Sequence, residues 1–178
     1  AIMTRSIILL PDKPMRPRIS DVRIGYFPLR KHIYTEKVDE LKKVDYIQRW
    51  RIEPKDEDVE RYRNGELVEP KKPIVWYVDP AIPERWRNYI KLGVEDWQAA
   101  FEEIGFKNAI VAKDYPADDP NFDPDDIRYS CYRYITTETA NSMGPAWIDP
   151  RSGEIIQADV LFYHNVIKLL HNWQFVQL

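Results

Sequence analysis

The chain contains one cysteine, Cys131, among its 178 residues. A single thiol excludes both an internal disulfide framework and a cysteine-based zinc cluster. No apolar run approaches the roughly 20 residues that a membrane-spanning helix requires. The formal net charge is −3, which argues against a DNA or RNA partner because such partners bind to basic surfaces. The hydrophobic fraction of 44% is nevertheless that of a folded protein.

Histidine is also scarce, with His32, His164 and His171 as the three examples. The last two would lie about 10 Å apart along one helix, whereas a zinc ligand binds at about 2 Å. These two side chains therefore cannot share a metal ion. The sequence has no H-E-x-x-H, G-x-S-x-G, C-x-x-C or phosphate-loop motif. The residues taken alone thus give no complete catalytic site.

Hydrophobic periodicity predicts an α/β fold. Ile74–Val78 has the length and composition of a buried strand. From Pro83 to Ile104 apolar residues recur at helical spacing, which predicts one long covering helix that Gly105 ends. A further strand is predicted within residues 126–135, and Cys131 in it is expected to be a buried structural thiol. We expect a mixed twisted sheet with an antiparallel edge hairpin.

The N-terminal segment and one internal loop are less regular. Residues 4–10 predict a buried strand, and the β-branched and aromatic residues within 21–34 and 43–53 predict a strand pair. Residues 11–18 contain three prolines and favour an extended segment. Residues 114–126 hold six aspartates and three prolines, which indicates a solvated loop, with a calcium-binding loop as the alternative.

The stretch from Asn141 to Asn165 reads as two strands joined by a tight turn. Asp149 can accept hydrogen bonds from the turn backbone, and Gly153 supplies the positive φ that such a turn requires. In the second strand Gln157 and Asp159 alternate with apolar residues, which predicts that these two side chains face solvent. Pro145 lacks an N–H and so confines the first strand to a sheet edge.

An edge strand with a free backbone row can bind an extended peptide, although an ordinary edge without a ligand is the simpler interpretation. If Pro145 faces away from the partner strand, Met143 and Trp147 face outward with it. Gly144 and Ala146 would then pair inward. The six tryptophans and eleven tyrosines keep a glycan-binding surface as another alternative.

Four sequence blocks carry a resemblance to a known family. They are the strand at Pro73–Asp79, V-E-D-W-Q-A-A-F at Val94–Phe101, the strand D-I-R-Y-S-C-Y-R-Y at Asp126–Tyr134, and M-G-P-A-W-I-D-P-R-S-G-E-I at Met143–Ile155. Together they resemble the upper subdomain of metzincin zinc peptidases, most closely that of large exported bacterial zinc-dependent metalloproteases. In those proteins the metzincin domain follows a domain of unknown function. The motifs within residues 15–27 and 46–54 are similar to the end of that preceding domain.

The resemblance implies a β-rich tail of a preceding domain at residues 1–72 and the N-terminal half of a peptidase domain at 73–178. It implies a peptide or protein substrate held extended along the edge strand, at Met143, Gly144, Pro145, Ala146 and Trp147. The zinc ligands and the general-base glutamate would follow Leu178, so we expect the chain to be an excerpt of an exported (periplasmic, cell-surface or secreted) endopeptidase. The alternatives are a metzincin that has lost its metal and a non-catalytic module that binds glycan or protein through exposed aromatic residues.

Overall fold

A mixed five-stranded sheet organises most of the chain, in the strand order β4-β3-β5-β9-β6. The computed structural model describes residue 3 and residues 5–177. The strands are β1 Pro28–Ile33, β2 Lys42–Ile47, β3 Ile74–Val78, β4 Ile110–Asp114, β5 Ser130–Ile135, β6 Ser142–Met143, β7 Ala146–Asp149, β8 Glu154–Ala158 and β9 Val160–Tyr163. The α-helices are α1 Val59–Arg63, α2 Glu84–Glu95, α3 Gln98–Glu103 and α4 Val166–Asn172. A 3-10 turn at Asp56–Asp58 precedes α1, and a π-helical turn at Trp173–Gln177 follows α4.

Strands β4, β3, β5 and β9 run parallel to their neighbours, and β6 pairs antiparallel with β9. β1 pairs antiparallel with β2, and β7 with β8, in two separate two-stranded sheets. The α/β class with a mixed sheet and antiparallel hairpins is therefore confirmed. No helix in the described part of the chain is both long and apolar enough to cross a bilayer.

The described residues form two compact units. The first, which we call the sheet unit, comprises residues 52–145 and 157–177 with the described residues among 1–6. The second, the hairpin unit, comprises residues 7–51 and 146–156. These are spatial groupings of residues. The expected domain limits of 1–72 and 73–178 stay a prediction.

The predicted single helix from Pro83 to Ile104 is wrong in one respect, because Asp96 and Trp97 separate α2 from α3. The N–H of Ala100 donates to the carbonyl of Trp97 at 3.0 Å, an i to i+3 bond that replaces the α-helical pattern. The helical periodicity of the sequence continues across Asp96 and Trp97, so it does not predict the break between α2 and α3.

Side chains of these two helices close one edge of the sheet. The Gln98 carboxamide accepts from the N–H of Ala109 at 2.8 Å and donates to the carbonyl of Phe106 at 3.0 Å. Within β4, the N–H of Ala112 donates to the carboxylate of Glu95 at 3.1 Å. Outward N–H groups of an edge strand normally remain available to another chain. At β4 the protein uses its own side chains to occupy them.

Residues 52–72 belong to the core of the sheet unit. Val68, Phe106 and Ala109 form a buried apolar cluster with exposures of 1%, 3% and 0%. The ring of Tyr62 stacks on Phe106 with centroids 4.9 Å apart. Burial of the Val68 and Phe106 side chains stabilises the folded state by roughly 1.5–3 kcal/mol each. The segment expected to end a preceding domain is thus packed, in its last twenty or so residues, with the sheet unit.

In the N-terminal segment one prediction is wrong and another is confirmed. Residues 5–10 form no strand, and Ile7 and Leu9 are 99% and 92% exposed; Thr4, the first residue of that prediction, lies outside the described residues. An apolar run becomes a strand only where another strand completes its hydrogen bonds, and no described strand pairs with it. The predicted strand pair does form, as β1 and β2.

Candidate functional site

The predicted turn between β7 and β8 is confirmed. Gly153 has a φ of +78°, and the carboxylate of Asp149 accepts from the backbone N–H of Arg151 at 2.8 Å. The guanidinium of Arg151 also donates to this carboxylate, with Nη2 to Oδ2 at 2.8 Å, and Asp149 is fully buried. The hydrogen bond from Arg151 lowers the pKa of Asp149 below its ordinary value. The turn is therefore locked by a charged side chain as well as by its backbone.

The predicted first strand of this hairpin is divided in two, because Gly144 and Pro145 separate β6 from β7 and the two strands belong to different sheets. β6, which precedes Pro145, does lie at a sheet edge: it ends the strand order of the five-stranded sheet, with Ser142 opposite Phe162 and Met143 opposite Leu161. Ser142, Met143, Gly144 and Pro145 are all exposed. Whereas Glu95 and Gln98 cover β4 at the far edge, the β6 edge is open.

The predicted orientation of this strand is wrong. The carbonyl of Pro145 accepts from the N–H of Asp159 at 2.9 Å, so Pro145 faces the neighbouring strand. Because orientation alternates along an antiparallel strand, Met143 faces inward with it and Gly144 faces outward. A proline can occupy an inward position when the pair uses its carbonyl. The missing N–H of Pro145 therefore does not indicate which backbone groups of the strand face away from the sheet.

Gly144 is the residue whose backbone faces away from the sheet. In the described part of the chain no hydrogen bond uses its N–H or carbonyl group. An added Cβ at this position would meet nothing nearer than the carbonyl oxygen of Asp159 at 3.8 Å, an ordinary contact. The free backbone row of the edge is therefore centred on Gly144, with Ser142 on the same side.

The five predicted site residues do not all lie in one unit. Met143, Gly144 and Pro145 lie in the sheet unit, whereas Ala146 and Trp147 begin β7 in the hairpin unit. Trp147 is 63% exposed and Met143 52% exposed. The sheet edge itself thus comprises the first three of these residues.

Asp159 and Gln157 support this edge from within, although alternation predicted that both face solvent. Gln157 is 3% exposed, and its Nε2 donates to Oδ1 of Asp159 at 2.7 Å. The same oxygen accepts from the N–H of Cys131 at 2.9 Å. Burial raises the pKa of Asp159. Asp159 separates β8 from β9, and its own N–H holds Pro145.

The buried position of Cys131 is as predicted. The residue is 0% exposed, and burial raises the pKa of its thiol to about 11. A thiol that is both buried and protonated is a poor nucleophile. Cys131 therefore has the structural role expected for it.

The histidines form no metal centre. His164 lies in the turn after β9, where its Nδ1 contacts the hydroxyl of Tyr134, and His171 lies in α4. Among residues 3 and 5–177 no group of three or more His, Cys, Asp or Glu side chains could hold a metal ion. The contact with Tyr134 was not predicted, because nothing in the spacing of these residues brings β5 and the end of β9 together.

The acidic loop uses its carboxylates locally. Asp119, Asp123 and Asp126 each accept from the backbone N–H two residues later, at 2.8–2.9 Å. Asp126 also pairs with Arg128, and Asp125 with Arg133. Calcium binding in residues 114–126 stays a prediction, and it would have to compete with these bonds.

The fold and the edge define the class of molecule: a mixed α/β protein whose parallel sheet ends in an open antiparallel strand. Comparison with known proteins adds one relationship. Residues 1–55 match the model of a family described as a domain of unknown function (DUF5117). This agrees with the expectation that a domain of unknown function occupies the N-terminal part of the chain. No curated protein and no solved structure matches the sequence.

Proposed function

We propose that residues 73–178 belong to the catalytic domain of a zinc-dependent metalloendopeptidase, in which the β6 edge aligns an extended peptide substrate. The proposal rests on the family resemblance of Val94–Phe101 and Met143–Ile155. The observation that carries it is the open antiparallel edge, where Gly144 presents an unused N–H and carbonyl.

Such an edge binds peptides by adding a strand. Main-chain hydrogen bonds supply affinity for any extended sequence, and neighbouring side chains supply preference. Asp159 fixes the edge through Pro145, and the capped β4 edge leaves β6 as the place where a strand can add.

Among the described residues no group of three or more His, Cys, Asp or Glu side chains could hold a metal ion, and in this proposal the role of the chain is to hold and orient the substrate. By resemblance, three histidines and a glutamate base elsewhere in the whole protein would complete the site. Zinc bound there would polarise the scissile carbonyl and activate a water molecule. Export of the whole protein is part of the same proposal.

A non-catalytic binding module is the alternative, and exposed tryptophans favour it. Trp97 and Trp147 are 65% and 63% exposed. The aromatic rings that contact one another in the sheet unit (Tyr77, Tyr115, Phe122 and Tyr129) are, however, all half-buried. The edge strand is therefore the better supported site.

The test uses the full-length protein and three substitutions at the edge. Gly144→Pro removes the outward N–H and should lower kcat/KM for peptide cleavage by tenfold or more with little change in stability. Gly144→Ala keeps the N–H and should retain activity, because the added Cβ meets only an ordinary contact. Met143→Pro removes an inward ladder bond and should destabilise the fold by about 1–3 kcal/mol, because the carbonyl that accepted this bond loses its partner.

Two outcomes would argue against the proposal. Unchanged cleavage by Gly144→Pro would mean that the outward row does not bind substrate. A full-length protein that cleaves no peptide, but whose tryptophan fluorescence is quenched by saccharides, would support the binding module instead.

A further inference from the structure

Three arginines of the hairpin unit hold the proline-rich residues 11–18, a segment that we call the strap. Each arginine donates one guanidinium N–H to a strap carbonyl. The bonds are Arg151 Nη2 to Pro11 at 2.7 Å, Arg51 Nη2 to Lys13 at 3.1 Å and Arg49 Nη2 to Arg16 at 2.8 Å. The strap is thus bound along its length through its backbone.

Two of the three guanidinium groups, those of Arg51 and Arg151, are positioned by bonds that do not involve the strap. Arg51 pairs with Glu154 at 2.7 Å, and Glu154 is 7% exposed. Arg151 pairs with the fully buried Asp149. Arg49 and Arg51 lie two residues apart on an extended stretch, where side chains at i and i+2 point to the same side. The donors therefore have a fixed spacing before a carbonyl reaches them.

The strap offers little besides carbonyl groups and one side chain. Met15 is 5% exposed and is the buried residue of the strap. Because the arginines use carbonyl oxygens, the missing N–H groups of Pro11, Pro14 and Pro17 remove no bond. Proline also favours the extended conformation before binding, which lowers the entropy lost on docking. The features of the strap that can be recognised are thus its extended backbone, its prolines and one apolar side chain, that of Met15.

Two features indicate that the strap is not a permanent part of the core. The Nε of Arg51 is buried without a hydrogen-bond partner among the described residues, so the strap leaves one donor of this site unused. The flanking residues are exposed on both sides, with Leu9 at 92%, Ile19 at 76% and Val22 at 102%. Besides the burial of Met15 and the three arginine bonds, release of the strap would break one backbone bond, from the N–H of Ile47 to the carbonyl of Arg18 at 3.0 Å.

We propose that Arg49, Arg51 and Arg151 form a binding groove for extended, proline-containing peptides with an apolar side chain at the Met15 position, and that the strap is its occupant in cis. The proposal is independent of the peptidase assignment. A free peptide of the same chemistry competes with the strap for this groove.

The experiment measures anisotropy of a fluorescein-labelled peptide with the sequence of residues 10–19 added to the full chain. Met15→Asp would place a charge at the buried position and release the strap. We expect this variant to bind the peptide at least tenfold more tightly than the unmodified chain. Adding Arg51→Gln to the Met15→Asp variant should lower its affinity for the peptide at least tenfold. A peptide with aspartate in place of methionine should bind to the Met15→Asp variant at least tenfold more weakly.

Several results would overturn the proposal. Equal affinity of Met15→Asp and the unmodified chain would mean that the strap does not occupy the peptide's site, and equal affinity with Arg51→Gln would exclude the arginine groove. If Met15→Asp does not fold, Met15→Ala replaces it in the same comparison. Loss of cooperative folding in both variants would show that the strap is a required part of the core.

Discussion

Gly153 offers the sharpest test of how the turn after β7 is built. Its φ of +78° lies in the left-handed region, and an added Cβ would lie 2.3 Å from the backbone carbonyl oxygen of Ile47. A backbone atom cannot rotate away as the end of a side chain can. The variant Gly153→Ala must therefore strain its own backbone and also push aside a neighbouring one.

The expected cost has two parts. Placing alanine in the left-handed region costs about 1–2 kcal/mol, and forcing an extra methyl group into a packed site costs about 1–3 kcal/mol. We expect Gly153→Ala to lower the free energy of unfolding by about 2–5 kcal/mol. Urea denaturation followed by circular dichroism measures this difference.

Two other glycines provide matched controls. Gly65 has a φ of +84° but nothing within 4 Å of an added Cβ, so Gly65→Ala carries only the conformational cost, about 1–2 kcal/mol. Gly93 lies inside α2 with open space around it, so Gly93→Ala should stabilise the protein by about 0.8–1 kcal/mol. If Gly153→Ala costs no more than Gly65→Ala, the close approach to Ile47 is not a constraint on the turn.

Two further predictions concern ionisable groups. Asp149→Asn should lower the free energy of unfolding by about 1–3 kcal/mol at pH 7. Because Arg151 lowers the pKa of Asp149 in the folded state, the ionised carboxylate stabilises the fold at pH values above the unfolded-state pKa of about 3.9. This stabilisation is lost as the pH falls through the folded-state pKa. The stability gap between the two proteins should thus close in acid, and a gap that is the same at pH 7 and pH 2 would contradict the assignment. Cys131, whose thiol pKa burial raises to about 11, should resist a disulfide reagent at pH 8 in the native chain and react fully in denaturant; rapid native labelling would contradict its buried position.

Short-range chemistry was sufficient for several features. Gly153 in the hairpin turn, Gly65 and Gly105 at helix ends, and the limits of Ile74–Val78 follow from the conformational freedom of glycine and from runs of apolar residues. Each depends on a residue and its near neighbours in the chain. Such features can be predicted because no distant part of the protein has to be known.

Features that depend on partners could not be predicted in this way. The apolar residues 5–10 have the composition of a strand, yet no described strand pairs with them. Gln157 and Asp159 look like solvent-facing residues until Cys131 and Pro145 are placed beside them. Nothing in the sequence pattern predicts that residues 11–18 accept hydrogen bonds from Arg49, Arg51 and Arg151.

For the candidate site too, some features could be predicted from the sequence and others depend on the tertiary structure. The sequence by itself determined that residues around Pro145 form an edge strand, because a residue without an N–H cannot continue a central ladder. Only the tertiary structure decided which backbone groups are free, since that depends on the bond between Pro145 and Asp159. The register with the neighbouring strand decides which backbone groups point toward that neighbour, and this register cannot be predicted from the sequence of one strand alone.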